Sequence, residues 1–215
     1  MKITSLLLIP GLFFMACKGS DQCSGKQVTC PAFTDSVSLA WVPYLQGQSV
    51  YFSNGVQTDS FVVDSRVLST SQQTTVSGQR PYCDATANWQ LVSWDGKTVI
   101  YPFTIAIQQS KDQFTPAEND FVSINFEGSQ FLGNRFSDTG LVPLINSSTN
   151  QVFHSQFYHS LPLNNRIFTD IQVIILDTTA LLPDTPARAY KIWLSKHIGL
   201  VAYEQYPGGS RWIKQ

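Results

Sequence analysis

Charged residues are scarce in this chain. They make up 13% of its 215 residues, about half the share of roughly 25% that is usual in soluble domains. The 14 basic residues nearly balance the 15 acidic ones, and the formal net charge is −1. No stretch gathers the lysine and arginine side chains with which proteins neutralise phosphate groups. We therefore expect no nucleic acid among its partners.

Motifs of catalysis and metal binding are also missing. The chain has no HExxH, GxSxG, Walker A, GxGxxG or EF-hand pattern. His154 and His159 are five residues apart, so on one strand they would point to opposite faces and could not share a metal. Ser195 and His197 flank Lys196 in what we interpret as a solvated turn. We therefore expect no enzymatic activity, no cofactor and no metal site.

Helical periodicity is absent as well. No window of twelve or more residues repeats its apolar positions every 3.6 residues. Uncharged polar residues are abundant instead, with 23 Ser, 17 Thr, 9 Asn and 18 Gln, and aromatic residues reach 13%. Hydroxyl and aromatic side chains suit pleated surfaces. The composition therefore predicts a β-protein that works outside the cytosol.

Alternating apolar and polar residues predict about nine strands. The clearest hairpins surround Asn54-Gly55 and Asp95-Gly96, which are strong turn signals. The segment 170–176 is almost entirely apolar, which predicts a strand buried on both faces. We expect a loop over 69–78. The remaining predicted strands cover 50–53, 61–64, 89–94, 99–107, 121–126, 152–158, 190–194 and 199–203.

Strands in sequence-adjacent pairs predict an all-β fold, an antiparallel meander that forms a sandwich or a partly open barrel. Few short helical turns are expected, one of them from the capping-box pattern that begins at Thr115 and ends at Glu118. The predicted core residues are Leu91, Ile105, Val122, Ile124, Val173, Ile175 and Leu200.

The chain has no apolar run long enough to span a bilayer, which takes about 20 residues. Its longest run, from Leu6 to Met15, is broken by Pro10-Gly11 and followed by Ala16-Cys17. With Lys2 before it, this segment resembles the signal peptide of a Gram-negative bacterial lipoprotein. The resemblance implies cleavage before Cys17 and a diacylglycerol on its thiol, so that the lipid holds the protein on a membrane. The alternatives are a signal anchor, or cleavage elsewhere with Cys17 unmodified.

The same resemblance implies an address. In such lipoproteins an Asp after the lipidated cysteine retains the protein at the inner membrane, and here Lys18 stands in that position. This predicts an outer-membrane location, and the lack of an acidic run after Cys17 favours the periplasmic side. The predicted organisation is a signal peptide over 1–16, a lipid-bearing tether over 17–36 and one antiparallel β-domain over 37–215.

Three cysteines remain beyond Cys17, and in an oxidising compartment they predict a disulfide. We predict a bridge between Cys30 and Cys83, which would fix the tether to the first part of the sheet. A bridge between Cys23 and Cys30 is the competing arrangement, with Cys83 left reduced.

Two short segments resemble known lipoproteins. The stretch from Trp41 to Asn54 is similar to the opening of uncharacterised β-rich bacterial lipoproteins. The ending from Ile198 to Tyr203 is similar to the last strands of half-barrel lipoprotein carriers. The second resemblance implies a carrier function, in which an apolar concave face of the half-barrel holds acyl chains.

The sequence thus predicts a non-enzymatic lipoprotein that binds or scaffolds at the outer membrane, with lipid, glycan or protein as partner. A scaffold would use loops such as 69–80 and 137–150. The alternatives are a lipid carrier and a glycan-acting hydrolase, although the acidic pair Glu118 and Asp120 is interpreted as helix-capping. Most of the prominent aromatic residues are expected to pack in the core: Trp41, Tyr44, Trp89, Trp94, Tyr101, Trp193 and Trp212.

Overall fold

The computed structural model describes residues 30, 32–73, 82–93, 103–111, 121–143, 153–177 and 187–215. Within them lie one short helix and one antiparallel sheet of twelve strands that is nearly closed into a barrel. The all-β prediction is therefore confirmed, in its form of a partly open barrel. The elements are α1 (Ser36–Trp41), β1 (Ser49–Ser53), β2 (Thr58–Gln73), β3 (Tyr82–Ser93), β4 (Phe103–Lys111), β5 (Phe121–Phe126), β6 (Ser129–Ser137), β7 (Gly140–Pro143), β8 (Phe153–Leu163), β9 (Arg166–Leu176), β10 (Arg188–Ser195), β11 (Gly199–Tyr206) and β12 (Arg211–Lys214).

The first and last strands of the chain, β1 and β12, lie side by side in the middle of the sheet. β1 pairs with β2 on one side and with the final strand, β12, on the other. From this junction β1 to β7 run outward in chain order, and β12 to β8 run outward in reverse order. The two edges of the sheet are therefore β7 and β8. Every neighbouring pair is antiparallel, as a meander requires.

The seam of the barrel is closed by a side chain. The carboxamide of Gln172 on β9 accepts a hydrogen bond from the Leu141 N–H at 2.6 Å and donates one to the Leu141 carbonyl at 2.8 Å. Gln172 thus gives edge strand β7 the donor and the acceptor that a neighbouring strand would supply. Gly140 leaves room for it, since a Cβ there would overlap the Gln172 side-chain oxygen.

Aromatic rings fill the interior of the barrel. Phe126 is 1% exposed, and its ring centroid lies 4.8 Å from those of both Phe103 and Tyr203 and 5.9 Å from that of Phe61. These edge-on and tilted contacts are the arrangements that aromatic rings prefer. The predicted core positions Leu91, Ile105, Val122, Ile124 and Leu200 all lie in this interior cluster.

Val173 and Ile175 belong to a second core cluster, on the outer face of the sheet, or pack against it. Val173 is buried in this cluster, so its assignment to the core is confirmed. Ile175 is only half-buried and packs against the cluster, so its assignment to the core is wrong. The prediction that 170–176 is buried on both faces is confirmed for 171–174, because Ile174 faces the interior and Val173 the outer cluster.

α1 packs against β6. Asp35 caps the helix by accepting hydrogen bonds from the N–H groups of Val37 and Ser38, which is the usual role of Asp at this position. The buried Trp41 donates from Nε1 to the Ser137 carbonyl at 2.8 Å and stacks on Phe136. Phe33 also belongs to the interior cluster, so residues of the tether range 17–36 pack with the domain.

The hairpin around Asn54-Gly55 is confirmed by the pairing of β1 with β2. β3 pairs with β4 as predicted, although the turn at 95–96 lies outside the described residues, as does the predicted helical turn at 115–118. The expected loop over 69–78 is wrong for 69–73, which continue β2. There Ser69 and Thr86 join across the strand pair by a 2.6 Å hydroxyl hydrogen bond, a polar contact that apolar periodicity does not reveal.

Candidate functional site

The outer face of the sheet carries an apolar row that crosses four strands. Val173 lies opposite Trp193, Trp193 opposite Ala202, and Ala202 opposite Ile213. All four residues are buried, although each has a direct neighbour in sequence that belongs to the interior cluster: Ile174, Ile192, Tyr203 and Trp212. This part of the sheet is therefore covered on its outer face as well.

The end of the β8–β9 hairpin provides the cover. β9 pairs with β10 only from Ile171 onward, so the rest of the hairpin extends beyond its neighbour. Asp170 has a φ of +48°, which is rare within a strand. Leu163 and Phe168 near the tip pack into the outer cluster. The Arg166 guanidinium then donates to the Lys214 carbonyl at 3.2 Å, which holds the tip against β12.

A groove of about 380 Å³ lies beside this folded hairpin, and we call it the outer-face groove. Its volume falls within the usual range for small-molecule sites. The lining combines an apolar floor and wall with three basic side chains. The lining residues are His154, Ser155, Gln156, Tyr158, Leu161, Pro162, Leu163, Val173, Ile175, Lys191, Trp193 and Arg211.

Two cations lie over one ring in the groove. The Lys191 ammonium is 4.7 Å from the centre of the Trp193 ring, and the Arg211 guanidinium carbon is 5.2 Å from it. Both distances are within the range of cation–π attraction. Trp193 itself is only 3% exposed. The ring therefore positions the two cations and does not offer a stacking surface.

The two cations differ in whether a carboxylate compensates their charge. Arg211 binds the buried Glu204 carboxylate at 2.6 Å, and the other Glu204 oxygen accepts from the Tyr190 hydroxyl at 2.7 Å. Burial, followed by the hydrogen bond to Glu204, raises the pKa of Tyr190 to about 12, so it remains a donor at neutral pH. Lys191 has no ion-pair partner within the described part of the chain, and the groove carries a net positive charge.

A second depression, of about 450 Å³, lies beside the start of α1. It is more open and has mixed charge, with Asp35, Gln109, Arg135 and Asp138 in its lining. The Asp35 carboxylate already accepts a hydrogen bond from the Gln109 side chain at 2.5 Å. Because its lining contains both acidic and basic side chains, this depression does not select a ligand of one charge.

Two half-buried carboxylates, Asp59 and Glu127, lie close enough to interact electrostatically. Asp59 accepts from the Tyr203 hydroxyl at 2.9 Å, and Glu127 accepts from the Gln205 amide at 3.3 Å. Burial raises the pKa of Glu127, and the nearby negative charge of Asp59 raises it further. A glycosidase would use such a pair on either side of the bond it cleaves. Here each acid already accepts a hydrogen bond from a side chain of β11, and one of these, Tyr203, is buried and packs against Phe126.

The site residues that were predicted from the sequence do not come together in one site. Cys17 is outside the described residues, and the backbone of Cys83 pairs with Lys111 on β4. His154 lines the outer-face groove, whereas His159 stacks edge-on against Phe157 and lies 3.6 Å from Asp170. The two histidines are not brought together. No group of three His, Cys, Asp or Glu side chains suited to a metal occurs in the described ranges.

The remaining candidates have structural contacts. The Ser195 hydroxyl donates to the Thr169 carbonyl at 2.8 Å, while the His197 N–H donates to the Ala40 carbonyl at 2.5 Å. Ser195 is thus engaged by backbone and not by His197. Glu118, Asp120, Trp94 and Tyr101 lie outside the described residues. The other prominent aromatic residues are buried as expected: Trp41, Tyr44, Trp89, Trp193 and Trp212.

No protein-family model, curated protein or solved structure gives a significant match to the chain. Among the residues described, none of the helical segments has the length and apolar character needed to cross a membrane. The outer-face groove was missed from sequence because its residues come from β8, β9, β10 and β12. One signal was present: Lys191 and Trp193 alternate on one face of a strand whose other face is also apolar.

Proposed function

We propose that this chain is a lipid-anchored lipoprotein of the bacterial outer membrane with a non-enzymatic binding role, and that the outer-face groove is its binding site. The observation that carries the binding role is the groove itself, where an apolar floor and wall meet unbalanced positive charge. Binding sites commonly combine apolar lining with a few well-placed polar groups.

The packed interior favours this role over the lipid-carrier alternative. A carrier needs an apolar space for an acyl chain, and the aromatic rings around Phe126 already occupy the centre of the barrel. The hydrolase alternative is disfavoured because Asp59 and Glu127 already accept hydrogen bonds from Tyr203 and Gln205. A protein partner could contact a groove of this size only at its rim. A scaffold that binds its partner through loops therefore remains the second candidate.

The binding role predicts that the apolar floor of the groove holds small apolar molecules. The test uses the full-length Cys17→Ser chain, which carries no acyl groups and needs no detergent, titrated with N-phenylnaphthylamine. Ile175→Gln should weaken binding about fivefold, since burying such a side chain contributes on the order of 1 kcal/mol. Val67→Gln is the matched control, because Val67 is exposed on β2. Equal affinity in both variants would contradict binding in the groove.

The anchor predicts an acylated Cys17 in the mature protein, detectable by mass spectrometry. Several acyl chains bury tens of methylene groups at about 0.8 kcal/mol each, so release should be negligible. Cys17→Ser should move the protein from the outer-membrane fraction to the soluble fraction, and Cys23→Ser is the matched control that should stay. If Cys17→Ser is processed and fractionates as the wild type does, the anchor is disproved. Protection from added protease in intact cells would support the periplasmic side.

The proposed disulfide joins Cys30 to Cys83. In support, Asp35 binds the side chain of Gln109, which lies opposite Ala85 in the sheet. Cys83 is two positions further along that strand pair, and Cys30 is five residues before Asp35. The start of the domain and residue 83 are thus at the same end of β3 and β4, a placement that also suits a tether fixed to the sheet.

Peptide mapping without reduction is expected to yield a linked pair that contains Cys30 and Cys83. Reduction should then destabilise the domain by about 4 kcal/mol, because the bridge closes a long loop. A Cys23–Cys30 pair would favour the competing arrangement. Three free thiols beyond Cys17 would contradict both.

A further inference from the structure

We propose that the outer-face groove selects a small organic anion that also carries an apolar portion, with Lys191 as the residue that recognises the negative charge. This inference rests on the proposed function, because it names the ligand class of the same groove. It is carried by the placement of the charges across the sheet and by the apolar wall of the folded hairpin.

The charged side chains form one row. Ile175 lies opposite Lys191, Lys191 opposite Glu204, and Glu204 opposite Arg211. This row runs directly beside the apolar row of Val173 and Trp193. A ligand lying along the groove therefore meets cations on one side and aliphatic side chains on the other.

The negative charge within the row is already compensated. One Glu204 oxygen binds Arg211 and the other accepts from Tyr190, and Glu204 is 7% exposed. The Lys191 ammonium forms no ion pair within the described ranges, and it lies over the Trp193 ring. An incoming anion would thus find one uncompensated cation at Lys191 and a second, shared cation at Arg211. Hydrogen bonds between such ionised groups are stronger than those between neutral ones.

The apolar portion of the ligand has its own place. Leu161 and Leu163, from the folded end of the hairpin, form the wall opposite Val173 and Ile175. The volume of about 380 Å³ fits a ligand of ordinary small-molecule size. A neutral sugar is a poorer fit, since sugars stack on exposed aromatic faces and the Trp193 face is covered by Lys191 and Arg211.

The test compares two probes with the same ring system. Anilinonaphthalene sulfonate carries a sulfonate, and N-phenylnaphthylamine does not. Both are titrated into the full-length Cys17→Ser chain and its variants, with fluorescence and one-to-one stoichiometry as readouts. Lys191→Gln should weaken the sulfonate probe about tenfold and leave the neutral probe within about twofold. Lys191→Arg should retain most of the affinity for the sulfonate probe, because it keeps the charge.

Lys196→Gln is the matched control. It removes the same charge from the turn after β10. This turn is away from the groove, and there the Lys196 ammonium lies 2.9 Å from the Asp138 carboxylate. An equal loss of sulfonate binding in both variants would show a general field effect and would overturn the inference. If Lys191→Gln leaves both probes unchanged while Ile175→Gln weakens both, the groove binds but does not select anions. If neither probe binds saturably, the proposed binding role fails as well.

Discussion

Phe126→Ala is expected to lower the free energy of unfolding by about 3–5 kcal/mol, the range found when a large buried side chain is removed from a core. Phe126 is the ring on which the interior cluster centres, in contact with Phe61, Phe103 and Tyr203. These neighbours belong to three different strands, so they cannot all move inward to fill the space. Urea unfolding monitored by circular dichroism measures the loss.

The same variant separates a filled barrel from a carrier. The space left in Phe126→Ala is apolar and enclosed, and such cavities take up benzene-sized molecules. We expect benzene to stabilise this variant and to leave the wild type unaffected. Phe157→Ala is the matched control, because Phe157 is only partly buried at the edge strand and its removal opens no enclosed space. Stabilisation of the wild type by benzene or by longer apolar molecules would revive the carrier alternative.

The sequence predicted elements that carry a contiguous signal. The last part of β3 was predicted over 89–94, where Trp89 and Leu91 are buried and Gln90 between them is exposed. β5 was predicted from alternating residue types, β9 from its nearly continuous apolar run, and the turn after β1 from Asn54-Gly55. Such patterns are local, because alternate side chains on a strand always share a face.

Elements stabilised by distant contacts were not predicted. α1 is six residues long and is held by Asp35 and by the packing of Trp41 on Phe136, contacts that no local period records. The pairing of β1 with β12 likewise joins the two ends of the domain. Loop-closing contacts of this kind depend on the whole sheet, so the strand order could not be read from neighbouring segments.

The candidate site shows the same division. The anchor at Cys17 was predicted because its signal is contiguous in sequence, and it stays a prediction. Strand register brings Lys191 and Arg211 close together across β10, β11 and β12. The outer-face groove also needs Leu161, which reaches them because the hairpin end folds back at Asp170. Sequence spacing carries no information on that fold-back.

The second large effect is expected on stability, when the hydrogen bonds that close the seam are removed. Gln172→Leu keeps most of the side-chain volume but removes both hydrogen bonds to Leu141. The N–H and carbonyl of Leu141 would then be buried without partners, at a cost of about 1–3 kcal/mol for each group. We therefore expect the free energy of unfolding to fall by about 2–5 kcal/mol. Amide exchange of Leu141, measured by NMR, should accelerate more than that of interior strands.

Two further variants make this prediction specific. Gln108→Leu, at an exposed position on β4, should change the stability by less than about 0.5 kcal/mol. Gln172→Glu keeps an acceptor for the Leu141 N–H but cannot donate to the carbonyl while it is ionised. Burial disfavours the charged carboxylate and raises its pKa, so the folded state binds the proton more tightly than the unfolded state. The stability of Gln172→Glu relative to the wild type should therefore rise as the pH falls, because the protonated acid regains the donor. Two results would mean that the seam is held by packing alone and not by the amide bridge. One is a stability difference between Gln172→Glu and the wild type that does not change as the pH is lowered. The other is a Gln172→Leu variant that is as stable as Gln108→Leu.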